Sequence, residues 1–181
     1  MSQDNPDIRQ QVDDNRGPQK KLEMLIPGLR GYRTLEDLRV SDSLLRNQVA
    51  DKLDASKANL EGLRKQMATA GDFTNLTAVG SLISQIQGMS GVVRHAQQGY
   101  SGFVATISIN QDKLNKLYEN DYAFVSSAVQ LQSLTTAPAL VYDTTAPNSI
   151  QIGLSKVTAA ISDFNQKWSV RMESVENILV Q

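Results

Sequence analysis

The stretch that decides the fold class is residues 149–180, SIQIGLSKVTAAISDFNQKWSVRMESVENILV, because its apolar residues recur with helical spacing. They lie four and three residues apart over about four heptads, the spacing of a helix that packs along a seam against its neighbours. The pattern predicts a long helix that begins near Asn148 or Ser149. The seam residues are Ile150, Leu154, Val157, Ile161, Phe164, Trp168, Met172, Val175 and Leu179.

Three further helices are predicted upstream of this stretch. The first spans about 35–70 and stops at Gly71, where a left-handed C-cap is expected; its seam is Val49, Leu53, Ser56, Leu60, Leu63, Met67 and Ala70. The second spans about 75–98, and we interpret its three internal glycines, Gly80, Gly88 and Gly91, as packing glycines. The third runs from an N-cap at Asn110 to Leu134. The sequence therefore predicts an all-α fold, mainly an antiparallel bundle of about four long helices.

The organisation outside these helices follows from polar and turn-forming residues. Residues 1–21 are rich in aspartate with few aliphatic side chains, which predicts a disordered N-terminal tail. Residues 22–34 form a turn-rich segment that we expect to pack on the bundle, with Pro27-Gly28 as a type II turn signal. The bundle then occupies 35–181, with a proline- and threonine-containing linker at 135–149.

The composition removes several classes of protein. The 181 residues include 18 Lys+Arg and 19 Asp+Glu, so a net charge of −1 argues against a globally basic nucleic-acid binder. Zero cysteines exclude disulfides, zinc–thiolate sites, iron–sulfur clusters and a cysteine nucleophile. A single histidine, His95, excludes any site that needs two imidazoles from one chain. The sequence predicts no cofactor and no metal.

The distribution of charge is uneven along the chain. About two-thirds of the charged side chains lie in the first 72 residues, and the later helices carry Gln, Ser, Thr and Asn on their polar faces. Such faces cost less to desolvate than charged ones, which favours self-association or a protein partner. The alternative is a surface that merely uses neutral polar residues. Residues 16–46 carry a net charge of +3, a basic strip that could meet an acidic partner or an anionic membrane surface.

Residues 73–93 contain no charge and are long enough to cross a bilayer. Gln85 and Gln87 lie inside this segment, and burying their amides in lipid would be costly. We therefore interpret it as a buried helix of a soluble protein. The polar N-terminus lacks the apolar core of a secretory signal, and a cytoplasmic location is the expectation.

The search for catalytic chemistry yields one cluster. No phosphate-binding loop, dinucleotide fingerprint or nucleophile elbow occurs. Asp121 falls on the apolar stripe of the third helix, where a lone carboxylate would be costly, so it needs a partner. Arg94, His95 and Tyr100 are the candidates across the turn between the second and third helices. The cluster either locks this hairpin or lines a pocket, and the first reading is favoured.

Two motifs carry a resemblance to a known family. Residues 26–33, IPGLRGYR, are one, and residues 94–103, RHAQQGYSGF, are the other. Over about 26–131 the chain resembles an uncharacterised bacterial family of cytoplasmic helical proteins with an I-P-G-x-x-G-Y motif and a later G-Y-S-G-F motif. The resemblance implies a helical fold and a bacterial cytoplasmic setting, and no established activity.

The leading functional hypothesis is a non-enzymatic helical interaction or scaffold protein, coiled-coil-like and oligomeric. Its partner-binding residues would be Arg30, Tyr32 and Arg33 in the turn-rich segment. One alternative is a peripheral membrane-surface protein that uses the basic strip. The other is a small-molecule-binding bundle with a pocket near Arg94, His95, Tyr100 and Asp121.

Overall fold

The computed structural model describes residues 17–29, 31, 35–96, 111–143 and 145–179. Over these residues the protein is helical and contains no strand, which confirms the all-α prediction. The helices are α1 (Pro18–Leu25), α2 (Leu35–Thr69), α3 (Leu76–His95), α4 (Gln111–Thr135) and α5 (Pro147–Leu179). The four longer helices match the predicted segments, except that α3 ends at His95 rather than near residue 98.

The local signals at two turns act as the sequence predicts. Gly71 has a φ of +75°, and the amide of Asp72 donates to the carbonyl of Met67 at 3.0 Å, which closes α2 with a left-handed C-cap. Gly28 has a φ of +84°, and the amide of Leu29 donates to the carbonyl of Ile26 at 3.2 Å. This geometry is the turn that Pro-Gly favours, because glycine tolerates a positive φ.

Helix α1 crosses the boundary at residue 21 between the predicted tail and the turn-rich segment. Its one buried residue is Leu22, and the chain beyond it adds Ile26 and Leu29 to the core. The helix packs on α4. Pro18 at its first turn is favourable because the amide that proline lacks has no helical partner there.

The most extensive contacts between helices join α2 to α3 and α4 to α5, and further contacts join α2 to α4 and α3 to α5. The core lies between these four helices and consists of the apolar seam residues. From α5 these are Ile150, Leu154, Val157, Ile161, Phe164 and Val175. Gly153 lies against Leu140 of the α4–α5 connection, where a β-carbon would come within 2.5 Å of the leucine Cδ1. The connection is therefore fitted closely onto the start of α5.

Candidate functional site

Four charged side chains are buried together where α2, α4 and α5 meet. They are Asp42 and Arg46 of α2, Asp121 of α4 and Arg171 of α5, and we call them the buried network. Their side chains are only 1–7% exposed. Charged groups are rarely buried to this degree unless they are paired, so the arrangement marks the most specific polar site in the described structure.

Arg171 is the centre of the buried network. Its Nε donates to Asp121 Oδ1 at 2.7 Å, and its Nη2 donates to Asp42 Oδ1 at 2.5 Å. The guanidinium carbon lies 5.7 Å from the centroid of the Phe124 ring and 5.8 Å from that of Trp168. The cation thus binds a carboxylate on each of two helices while two aromatic faces cover it, an environment that suits the planar guanidinium better than an ammonium.

Arg46 extends the buried network to the end of α3. Its Nε donates to Asp42 Oδ2 at 3.0 Å, and its Nη1 donates to the carbonyls of Val93 at 3.3 Å and Ala96 at 2.6 Å. The last carbonyls of a helix have no partner within the helix, and a cation near them also interacts favourably with the helix dipole. Arg46 therefore caps the C-terminal end of α3. This cap also makes the position of α3 depend on Arg46.

The charges of the buried network sum to zero, with two guanidinium groups and two carboxylates. Among the described residues, every buried side-chain nitrogen and oxygen has a hydrogen-bond partner. In the same residues, no group of three histidine, aspartate or glutamate side chains is arranged to hold a metal ion. The hydrogen-bonding capacity of the network is used within the protein, so its geometry suits holding four helices in one register.

A second polar cluster joins α2 to α3 closer to the surface. Arg94 Nη2 donates to Asp51 Oδ1 at 2.9 Å and to Asp54 Oδ2 at 2.8 Å. The hydroxyl of Ser90 donates to Asp54 Oδ1 at 2.7 Å. The hydrogen bond to Asp51, with further contributions from Asp54, raises the pKa of Arg94 above its ordinary value. With a third of the Arg94 side chain exposed, solvent weakens these ion pairs.

The structure places the predicted cluster residues in different surroundings. Asp121 is buried as expected, and one donor to it is Arg171, which is not among the partners predicted from the sequence. Arg94, proposed as a partner of Asp121, binds the carboxylates of α2, and His95 is exposed at the end of α3. Tyr100 and the predicted partner-binding residues Arg30, Tyr32 and Arg33 lie outside the described residues.

A stricter use of the helical spacing places the other three members of the buried network at seam positions. On α5 the four/three alternation that passes through Phe164 and Trp168 reaches Arg171, whereas the predicted seam includes its apolar neighbour Met172. On α2 the same alternation continued backwards from Val49 reaches Arg46 and then Asp42. Asp121 was found because it interrupts a row of apolar residues. All four network residues therefore occupy seam positions.

The outer face of α3 is the second notable surface. We define it by the exposed residues between the helix start and Val93, and none of them is charged. They are Thr77, Ala78, Ser81, Ser84, Gln85, Gln87, Gly88 and Val92. Among the described residues, α3 is the one helix long and apolar enough to cross a membrane. A core helix of a soluble protein meets the same criterion.

Comparison with models of protein families, with curated proteins and with solved structures found no match to this chain.

Proposed function

We propose that this chain is a non-enzymatic, cytoplasmic interaction protein, built as an antiparallel bundle of the four long helices. We further propose that it binds a protein partner through the outer face of α3. The buried network supports this because its polar groups bind one another and hold the helices. A partner would therefore be bound by surface residues and not by the buried network.

Paired contacts along the helices support the antiparallel arrangement. Between α2 and α3, Arg46 contacts Ala96, Asp54 contacts Ser90, and Arg64 lies 3.9 Å from the β-carbon position of Gly80. Between α4 and α5, Asn120 binds Ser174 and Asp121 binds Arg171. Leu140, just beyond α4, contacts Gly153 near the start of α5. In both pairs, residue numbers rise on one helix as they fall on the other.

The observation that carries the proposed function is the absence of charge on the outer face of α3. Protein interfaces are depleted in charged residues at their centres, because charged groups lose more hydration energy than neutral ones when they are buried. The exposed surface of α2, by contrast, includes Asp51, Glu61, Arg64 and Lys65. Covering the outer face of α3 therefore costs less desolvation free energy than covering the exposed side of α2.

The test is affinity capture from native extract with three baits. The wild-type chain is compared with a variant that places two lysines on the outer face of α3, Ser84→Lys with Gln87→Lys. The matched control places two lysines on the exposed side of α2, Asn47→Lys with Ala58→Lys. A protein captured in stoichiometric amount by the wild type and the control, and lost with the α3 variant, supports the proposal. Equal capture by all three baits would refute it.

A further inference from the structure

We propose that the partner of the outer face of α3 is a second copy of this chain, bound α3 against α3 about a twofold axis. This inference rests on the proposed function, since it names the partner of the same surface. In a twofold interface each residue meets the same patch of the other copy, so the patch must be complementary to itself.

The absence of charge on the outer face of α3 favours a second copy as its partner. A face that carries charges of one sign opposes them to their own copies in a symmetric pair, which is unfavourable. The exposed residues of α2, α4 and α5 include charged side chains, among them Glu61, Lys116 and Lys156. Along α3 the first ionisable side chains are Arg94, which is bound to α2, and His95 at the last residue. The outer face of α3 can therefore meet itself without opposing like charges.

Two glycines in α3 leave room for a close neighbour. A β-carbon built on Gly88 or on Gly91 meets no described atom within 4 Å, whereas one built on Gly80 lies 3.9 Å from Arg64. All three are packing glycines in the interpretation drawn from the sequence, but for Gly88 and Gly91 the described chain offers no atom within 4 Å to pack against. Glycine weakens a helix relative to alanine, so within the described chain the two residues cost stability without a packing contact in return. The backbone of a second copy that approaches closely at these glycines would offset this loss of helix stability.

The available area sets the strength of the pairing. A helix of 20 residues is about 30 Å long, so a strip about 10 Å wide on α3 offers about 300 Å² from each copy. A stable interface buries about 800 Å² on each partner, so a strip of this area supports only a weak, reversible pair. Pairing through so narrow a strip points to a dissociation constant in the micromolar range.

A lipid bilayer is the competing occupant, and the buried residues of α3 argue against it. They are Val79, Leu82, Ile83, Ile86, Met89, Ser90 and Val93, and they form part of the core. Insertion of α3 into lipid would remove them from that core. It would also bring the exposed amides of Gln85 and Gln87 into hydrocarbon, where they have no water to bind.

The experiment is sedimentation velocity on the purified full chain over about 1–200 µM, a range that brackets a micromolar dissociation constant. We expect a concentration-dependent dimer, a dissociation constant at least about tenfold higher for Ser84→Lys with Gln87→Lys, and a change of less than about twofold for Asn47→Lys with Ala58→Lys. A wild type that stays monomeric throughout, or an α3 variant that dimerises as the wild type does, would overturn the inference.

Cross-linking gives a second readout, because the chain has no cysteine of its own. Oxidation should join two copies of a Ser84→Cys variant and leave an Ala58→Cys variant monomeric. Flotation with vesicles of phosphatidylcholine alone tests the competing occupant, because added lysines gain no attraction to a neutral surface. Co-flotation abolished by the α3 lysines would overturn the inference in favour of a membrane. If the wild type is monomeric but captures another protein through α3, only this inference fails, and the proposed function stands.

Discussion

Replacing Arg171 with methionine tests whether the buried network holds the helices together. The two side chains have similar volumes, so the change removes the charge and leaves little cavity. The remaining network has two carboxylates and one guanidinium, in surroundings where the side chains are 1–7% exposed. Breaking a buried ion pair by removing one partner costs about 3–5 kcal/mol. For a chain of this size each kcal/mol corresponds to about 2–4 °C in melting temperature.

The decisive measurement is a double-mutant cycle with Asp121→Ala. That change alone leaves the network with one excess positive charge, so it should also cost about 3–5 kcal/mol. The combination of Arg171→Met and Asp121→Ala restores neutrality and leaves Asp42 paired with Arg46. We therefore expect the double variant to be at least about 2 kcal/mol more stable than the sum of the single effects predicts.

The free energies of unfolding are measured in urea. The transition is monitored by circular dichroism and by the fluorescence of Trp168, the one tryptophan of the chain. The indole lies beside both Phe124 and Arg171, so its emission reports directly on the site. Arg94→Met is the control, because its ion pairs are partly exposed and should contribute no more than about 1 kcal/mol. Additive effects of the two network substitutions, within about 0.5 kcal/mol, would refute the coupling.

Three further outcomes are expected. Gly88→Ala should stabilise the monomer by up to about 1 kcal/mol, measured by urea unfolding at low protein concentration, and should weaken self-association in sedimentation. A variant that is both more stable and more strongly self-associated would contradict the close approach of two copies. Gly71→Ala should cost about 1 kcal/mol in thermal unfolding, because alanine is strained at a φ of +75°, and an unchanged melting temperature would show that the turn rearranges. Desolvation, with the neighbouring charge of Asp72 and a hydrogen bond to it, raises the pKa of Tyr142. Tyr142 therefore contributes stability at pH values below the pKa of unfolded tyrosine, and this contribution is lost as the pH rises through the pKa of the folded state. Tyr142→Phe should reduce the loss of stability at alkaline pH. A pH profile identical to that of the wild type would count against the contact.

The fold class was predictable because apolar residues recur with helical spacing along each long segment. The apolar alternation of α5 and the glycine after α2 each carry a physical signal in the order of residues alone. Helix α1 was missed because its eight residues bury only Leu22, too little for a periodic pattern. The need of Asp121 for a partner was also readable. Which residue pairs with Asp121 was not readable, because pairing across three helices depends on which seam positions lie at the same level along the bundle axis.

The way α3 is held in place bears on how its outer face should be tested. Charged groups anchor the helix, but each acts from the side of α2 or from the helix end: Arg46 caps the last carbonyls, and Asp54 binds both Ser90 and Arg94. Ser84 and Gln87 are exposed and take no part in these contacts. Lysines at the two positions therefore change the charge of the outer face and leave the anchors of α3 intact. If such a variant keeps the unfolding free energy of the wild type and loses association, the loss belongs to the surface and not to the fold.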